Sequence, residues 1–248
     1  MITAEQVGAA IEHGELRVVY LPTIRMADGR CVGAEALVRW NRAGREVSAI
    51  DFIPVIENTP LVGTLTYWVI DTVATELGEW LDRHSDADIS INVPPEILGR
   101  GGLEYAAVRS GLRARSSQII LEITERGIPD RLGLEALNIM AQRGVQLALD
   151  DTMLSGVNVA LLARCSFSHV KLDCALVAQL VDGEPAPQWL AGLTSLLKNS
   201  PLQVVAEGVE REYQADTLKH AGVQLAQGYL YSTPLSAKEL ERFYGEPR

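Results

Sequence analysis

No stretch of this 248-residue chain approaches the roughly 20 consecutive apolar residues that a membrane-spanning helix needs. The opening residues, MITAEQVGAAIEHGEL, hold Glu5, Glu12 and Glu15 and no basic cluster, so they do not read as a secretory leader. Cysteine is scarce. Cys31, Cys165 and Cys174 form no CxxC pair, which argues against a disulfide scaffold or a zinc ribbon. Reduced, mostly buried thiols in a cytoplasmic setting are expected instead, either of this chain alone or as the cytoplasmic part of a longer, membrane-anchored protein. His13, His84, His169 and His220 are scattered without ligand spacing and receive no role. Positive charge is in deficit, with 22 Lys and Arg against 32 Asp and Glu, a net of −10. Such a surface repels nucleic-acid backbones, which excludes duplex DNA or RNA as the expected partner. An anionic small ligand would need a local cation, either a side chain or a metal. No Pro/Gly/Ser-rich linker divides the chain, so residues 1–248 are expected to form one domain.

What is present is apolar and periodic. Hydrophobic residues make up 47% of the chain, enough for a folded core. Short apolar runs recur at 18–22, 33–40, 88–94, 119–124, 145–151, 169–173, 203–209 and 223–229. Between them lie helical patterns: Leu65, Trp68, Val69, Val73, Leu77, Trp80 and Leu81; then Leu134, Leu137, Met140 and Ala141; then Trp189, Leu190, Leu193, Leu196 and Leu197. Gly144 and Gly222 follow such segments where a helix-terminating glycine belongs. RGVQLALDD and AGVQLAQGY are near copies and read as two instances of one unit. The segment GRGGLEY, 99–105, reads as a loop. The last helix should start at Ser236, capped by it with Glu239 three residues on. Eight runs with intervening helices predict an α/β fold, a modified (β/α)8 TIM-type barrel, with an open doubly wound sheet as the alternative.

Nearly every apolar run carries a polar residue at or near its end: Glu35, Asn92, Glu122 and Glu125, Asp150 and Asp151, Lys171 and Asp173, Glu207, Gln227. A buried carboxylate is costly unless paired, protonated or on a metal. One would suggest a structural ion pair. Many, converging on the C-terminal mouth where barrel enzymes react, suggest a site. Their mutual repulsion calls for a divalent cation, and an all-oxygen donor set suits Mg2+ or Mn2+ rather than zinc. The adjacent Asp150 and Asp151 are suited to bridging two ions, the arrangement used for phosphoester displacement.

These residues also carry a resemblance. GAEALVRW resembles the motif that names the EAL-domain family of cyclic-di-GMP phosphodiesterases. DFIPVIENTPLV, SINVP, LEITE, LALDD, KLD, VVAEGVE and QGYLYSTPL follow in that family's order and spacing, over roughly residues 5 to 245. The resemblance implies a metal-dependent enzyme that hydrolyses cyclic di-GMP to linear pGpG by two-metal in-line attack. It implies that Glu35, Asn92, Glu122 and Asp150 hold one ion, and that Asp150, Asp151 and Glu207 hold the second. Glu35, Lys171, Asp151 and Glu207 would carry catalysis, Lys171 orienting the attacking water and Asp173 steering Lys171. Arg39, Asp173 and Gln227 would contact substrate, and Glu125 would brace the loop after the paired aspartates. From the residues alone, Arg39 could equally be an ion-pair partner and Gln227 a strand-end cap. Tyr20, Trp40 and Tyr229 could stack a guanine, but burial alone also explains them.

The resemblance breaks at one loop. After Asp151 the family usually shows a Gly- and hydroxyl-rich segment of the type Phe-Gly-Thr-Gly-Tyr-Ser-Ser; here it is Thr152-Met153-Leu154-Ser155-Gly156-Val157-Asn158. The first strand has Leu21 in place of an amide, Pro94 replaces a serine, and Pro60 a glycine. Two outcomes therefore stay open: an active phosphodiesterase, or a weak or inactive domain serving as a cyclic-di-GMP receptor or protein-interaction module. A metal-dependent barrel acting on another phosphoester is a distant third. Exposed Met153, Leu154 and Val157 would form an apolar patch that suits either a repacked interface or a partner site, and the analogy with the family leads to the expectation of self-association as a homodimer. An upstream sensory domain outside this chain is the expected source of regulation.

Overall fold

The computed structural model describes residues 2–124, 129–150, 161–162, 164–198 and 200–244. The strands are β1 (Leu16–Arg25), β2 (Arg30–Arg42), β3 (Arg45–Val47), β4 (Asp88–Val93), β5 (Ile119–Ile123), β6 (Gln146–Leu149), β7 (His169–Leu172), β8 (Gln203–Ala206) and β9 (Leu225–Ala226). Hydrogen bonding runs β1-β9-β8-β7-β6-β5-β4-β2, and β2 pairs back to β1, so eight strands close into a ring; β3 is appended to β2 outside it. Helices α1 (Ala4–Glu12), α2 (Ala49–Ile56), α3 (Pro60–Arg83), α4 (Gly102–Ser110), α5 (Arg131–Gln142), α6 (Cys174–Val177), α7 (Gln188–Lys198), α8 (Glu212–His220) and α9 (Ala237–Phe243) lie among the described residues.

The barrel is not uniformly parallel. β1 pairs antiparallel with both β2 and β9, while β2, β4, β5, β6, β7, β8 and β9 run parallel in succession. The reversal has a local cause. Only a tight turn separates β1 from β2, and a tight turn can join antiparallel strands but not parallel ones. Asp28 holds that turn, accepting from Arg25 Nε and Nη2 at 3.0 and 2.7 Å and from the Arg30 amide at 3.2 Å.

The helices form as their apolar periods demand. In α3, Leu65, Val69, Val73, Leu77, Trp80 and Leu81 are buried, and the helix opens with Thr59 accepting the Leu61 amide and Pro60 in the first turn. α9 begins in a capping box between Ser236 and Glu239, as the sequence predicts. Gly144 and Gly222 end their helices at φ +88° and +90°, the left-handed conformation glycine adopts without strain, and each leads into the next strand. GRGGLEY corrects one expectation. Only its start is a loop, since α4 begins at Gly102. A Cβ there would overlap the Tyr67 hydroxyl of α3, so this glycine serves close helix packing rather than a turn. Cys31 and Cys165 are buried, as expected, and Cys174 is exposed.

Inside the ring, side chains stack in layers set by the two-residue period of the strands. Gly33, Ser90, Ile120, Ala148, His169, Val205 and Leu225 surround a small cavity of about 20 Å3 together with Thr23, Asp88, Glu122 and Gln227. Asp88, at the foot of β4, accepts from Gln146 Nε2 at 3.0 Å. Burial nevertheless pushes its pKa up to about 6, with Asp86 adding to the rise against the Gln146 hydrogen bond. Folding thus favours the protonated acid, and the stability this confers is lost as pH rises from about 4 through 6. Asp88→Asn keeps the acceptor and removes the charge. It is expected to raise stability by about 1–2 kcal/mol at pH 7 and by nothing at pH 4. Urea unfolding at the two pH values checks this; equal gains at both would trace the effect to packing.

Candidate active site

Two residues beyond that lower layer, each strand turns the next side chain inward. The period carries Gly33 to Glu35, Ser90 to Asn92, Ile120 to Glu122, Ala148 to Asp150, His169 to Lys171, Val205 to Glu207 and Leu225 to Gln227. The backbone ladder continues past the formal strand ends to hold the last of these: the Asp150 amide donates to Ile123 O at 3.1 Å, Glu207 to Leu172 O at 3.0 Å and Gln227 to Ala206 O at 2.8 Å. Asn92 and Glu122 are direct register partners across β4 and β5. Residues more than 170 positions apart in sequence therefore share one ring.

Lys171 stands at its centre. Its Nζ lies 2.6 Å from Glu207 Oε1, 2.7 Å from Glu122 Oε2, 3.1 Å from Glu35 Oε2 and 3.2 Å from Asp150 Oδ1. The side chain is 2% exposed. Burial alone would strip its proton, but Glu122, Glu35, Glu207 and Asp150 outweigh that and hold the ammonium well above the ordinary lysine value. One ammonium does not satisfy four carboxylates. Glu35 stays low against its own burial, through the Lys171 charge and a 2.8 Å hydrogen bond from Asn92 Nδ2. Glu122 is driven well up by burial and by the Glu35 charge. Burial likewise lifts Glu207, to about 8, although Lys171 pulls the other way. Asp150 Oδ1 is buried and, among the described residues, accepts no well-directed hydrogen bond despite its closeness to Lys171.

Among the described residues, no three His, Cys, Asp or Glu side chains form a preset metal cage. The ring nonetheless fits a hard divalent cation in its chemistry. Its donors are carboxylate oxygens and one amide, and it includes the buried, under-used Asp150 Oδ1. Lys171 now holds the oxygens such an ion would take. Asp151, assigned to bridge two ions, and Glu125, assigned to brace the following loop, lie outside the described residues, as does the loop 152–158.

Beside the acids opens a cavity of about 350 Å3. Glu35, Asn92 and Asp150 form its floor, and Leu37, Ile53, Pro54, Val62, Leu65 and Val69 contribute its walls. The size and the apolar walls with few polar groups suit a small-molecule ligand. Sequence reading had not assigned these wall residues. The available signal was the i, i+3, i+4, i+7 spacing of Val62, Leu65, Thr66 and Val69, which turns one face of α3 toward the mouth.

The remaining assigned residues fall into place as follows. Arg39 donates to Val38 O at 2.9 Å and stands 3.8 Å from Glu46 Oε1, on the ribbon that β2 and β3 form. Asp173 caps α6 by accepting the Ala175 amide at 2.6 Å. Gln227 is buried in the ring, where its Nε2 donates to Thr23 Oγ1 at 2.8 Å. Tyr20 and Trp40 are core residues: Tyr20 donates to Glu76 Oε2 at 2.6 Å, and Trp40 donates to Glu15 Oε2 at 2.8 Å and packs edge-on against Phe52. Tyr229 is exposed.

Comparison with known proteins points the same way. The profile of the EAL domain family matches residues 4–234. The probable cyclic di-GMP phosphodiesterase PdeB of Escherichia coli K12 is 30% identical over 238 residues, which cover 94% of this chain and 45% of PdeB. The MucR phosphodiesterase of Pseudomonas aeruginosa, solved as its c-di-GMP complex, superposes with a TM-score of 0.84 at 27% identity, over 95% of this chain and 98% of that one. The EAL domain of Mycobacterium smegmatis DcpA superposes with a TM-score of 0.75 at 30% identity, over 94% and 99% of the two chains. This chain spans less than half the length of the curated relatives it matches, 45% for PdeB.

Proposed function

The chain belongs to the EAL domain family, and from that premise we propose that it is a divalent-metal-dependent phosphodiesterase that opens cyclic di-GMP to linear pGpG. The observation that carries this reading is the ring of Glu35, Asn92, Glu122, Asp150 and Glu207 around Lys171, set at the floor of a cavity of about 350 Å3. Glu35, Asn92, Glu122 and Asp150 would hold one Mg2+ or Mn2+, and Asp150, Asp151 and Glu207 a second. Bound there, the ions supply Lewis-acid polarisation of the phosphoryl group and a nucleophilic water at neutral pH. In the reaction a water oxygen bonds to phosphorus, the P–O3′ bond breaks, and the 3′-oxygen leaves as a hydroxyl. The product keeps a terminal 5′-phosphate.

The chain's own groups have distinct parts in this scheme. Lys171 orients the attacking water and offsets charge building on the phosphate. The α2 and α3 walls take a guanine face. Arg39, Asp173 and Gln227 are the proposed contacts to the rest of the dinucleotide. A cytoplasmic setting and an upstream sensory domain belong to the same reading. Among the described residues, no helix is long and apolar enough to cross a membrane. Self-association through 152–158 is part of it too, and sedimentation at high concentration checks that point.

The decisive experiment incubates the protein with cyclic di-GMP and Mn2+ or Mg2+, separates the products by chromatography, and repeats the run with Glu35→Ala and with excess chelator. Linear pGpG is expected only from the unmodified protein with metal. Nucleotide binding by calorimetry without product would make the chain a receptor. Neither binding nor turnover would overturn the proposal.

A further inference from the structure

Strand alternation that turns Asn92 and Glu122 inward turns their neighbours Ile91 and Leu121 outward. Behind them lies a second cavity of about 350 Å3, between the outer face of β4 and β5 and the helices α3, α4 and α5. Its walls are apolar, with Ile91, Leu103, Leu112, Leu121 and Met140 prominent. Its rim is not: Arg113, Arg143, Glu104 and Ser116 stand together there.

The rim carries an unusual charge balance. Arg113 Nη1 and Arg143 Nη1 both donate to the same oxygen, Glu104 Oε1, at 2.6 and 2.8 Å. Two guanidiniums thus share one carboxylate, a local excess of one positive charge in a chain of net −10. Each guanidinium has five N–H donors in a planar fork suited to carboxylate, and Glu104 Oε1 engages one from each. Ser116 Oγ donates to Arg143 O at 3.1 Å and so ties the rim together. An apolar cavity with an excess-cationic mouth selects a ligand with an apolar body and one negative charge. A sugar or nucleotide would leave polar edges unpaired against Leu103, Leu121 and Met140. A phosphate dianion carries a second negative charge that the single uncompensated guanidinium does not offset.

We propose that this cavity is a binding site for a small amphiphilic carboxylate of the medium-chain fatty-acid class. The acyl chain lies between Leu103, Leu112, Leu121 and Met140, and its carboxylate is held by Arg113 and Arg143. The ligand then packs directly against the back of the two strands whose front faces carry Asn92 and Glu122.

The test is a calorimetric titration of the chain with decanoate below its micellar concentration, without nucleotide or metal, so its outcome is independent of the phosphodiesterase reading. Saturable binding at one site is expected. The double variant Arg113→Ala/Arg143→Ala, which alters only exposed side chains, should weaken it at least tenfold. 1-Decanol, with the same chain and no charge, should bind at least tenfold more weakly than decanoate. Met140→Trp, verified as folded by circular dichroism, should abolish binding by filling the cavity. Absence of saturable binding to the unmodified chain would overturn the proposal. So would binding that the double arginine variant leaves unchanged.

Discussion

Replacing Lys171 with methionine is expected to abolish turnover and, in excess chelator, to lower stability by about 3–5 kcal/mol. The ammonium is buried and within 3.2 Å of all four carboxylates, so it is the positive charge that allows them to converge without a metal. Methionine matches its shape but leaves the acids facing one another, and uncompensated buried charge is among the costliest defects a core can hold. The acids can escape only by protonation. Glu122 and Glu207 already lean that way, through burial first and neighbouring carboxylates after it. The sign of the pH dependence follows. An acid whose folded pKa is raised confers stability at low pH and loses it as pH climbs through the folded value, here about 8 for Glu207. The deficit of the variant should therefore be small near pH 5 and full near pH 8. Urea unfolding in chelator across that range measures it, and Mn2+ should restore much of the loss by supplying the missing charge. Unchanged stability at pH 8 would show that the acids are neutralised by something other than Lys171.

Glu122→Gln should separate activity from stability in the opposite sense. Turnover is expected to fall by about 10³-fold or more, since the change removes a charge from the proposed donor set while keeping its shape. In chelator the same variant should be as stable as the parent or more so. Burial and the Glu35 charge already favour the neutral form of this side chain, and a glutamine oxygen still accepts from Lys171. Product formation and urea midpoints on the same preparation provide both readings. Activity that survives the change would remove Glu122 from the proposed metal-binding set. A large loss of stability would assign it a structural role. Together the two variants predict a crossed pattern: Lys171→Met inactive and weakened, Glu122→Gln inactive and robust.

The polar ring was readable from sequence because its rule is local. An apolar run that ends in a carboxylate or amide is anomalous by itself, and period-two alternation fixes which face that residue takes. Glu35, Asn92, Glu122, Asp150, Lys171 and Glu207 were found in that way, and the structure brings them together. The central place of Lys171 was not readable. It depends on the reach of one side chain across the barrel to β2, β5 and β8, a distance no sequence spacing encodes. The reversal of β1 was missed because an apolar run such as VVYLP has no direction. Asp28-Gly29 between β1 and β2 was the available hairpin signal. In GRGGLEY, Gly99 and Gly101 mark a loop at positive φ, but Gly102 opens α4 and serves close packing against Tyr67, a role its sequence context does not distinguish. Tyr20 and Trp40 resolved toward the core, as burial alone allowed. For Asp151, Glu125 and 152–158, the sequence reading stands beyond the described residues.

The small strand β3 bears on solubility. Closure of the ring pairs each of its eight strands on both sides, over only part of the length in β1 and β2, and among the described residues leaves β3 as the terminal strand of the sheet. It is only three residues long, two of them the charged Arg45 and Glu46. Short, charged edges resist recruiting a strand from another molecule. Copies of this chain should therefore meet through helices or loops, and crowding at high concentration should not convert them into cross-strand aggregates.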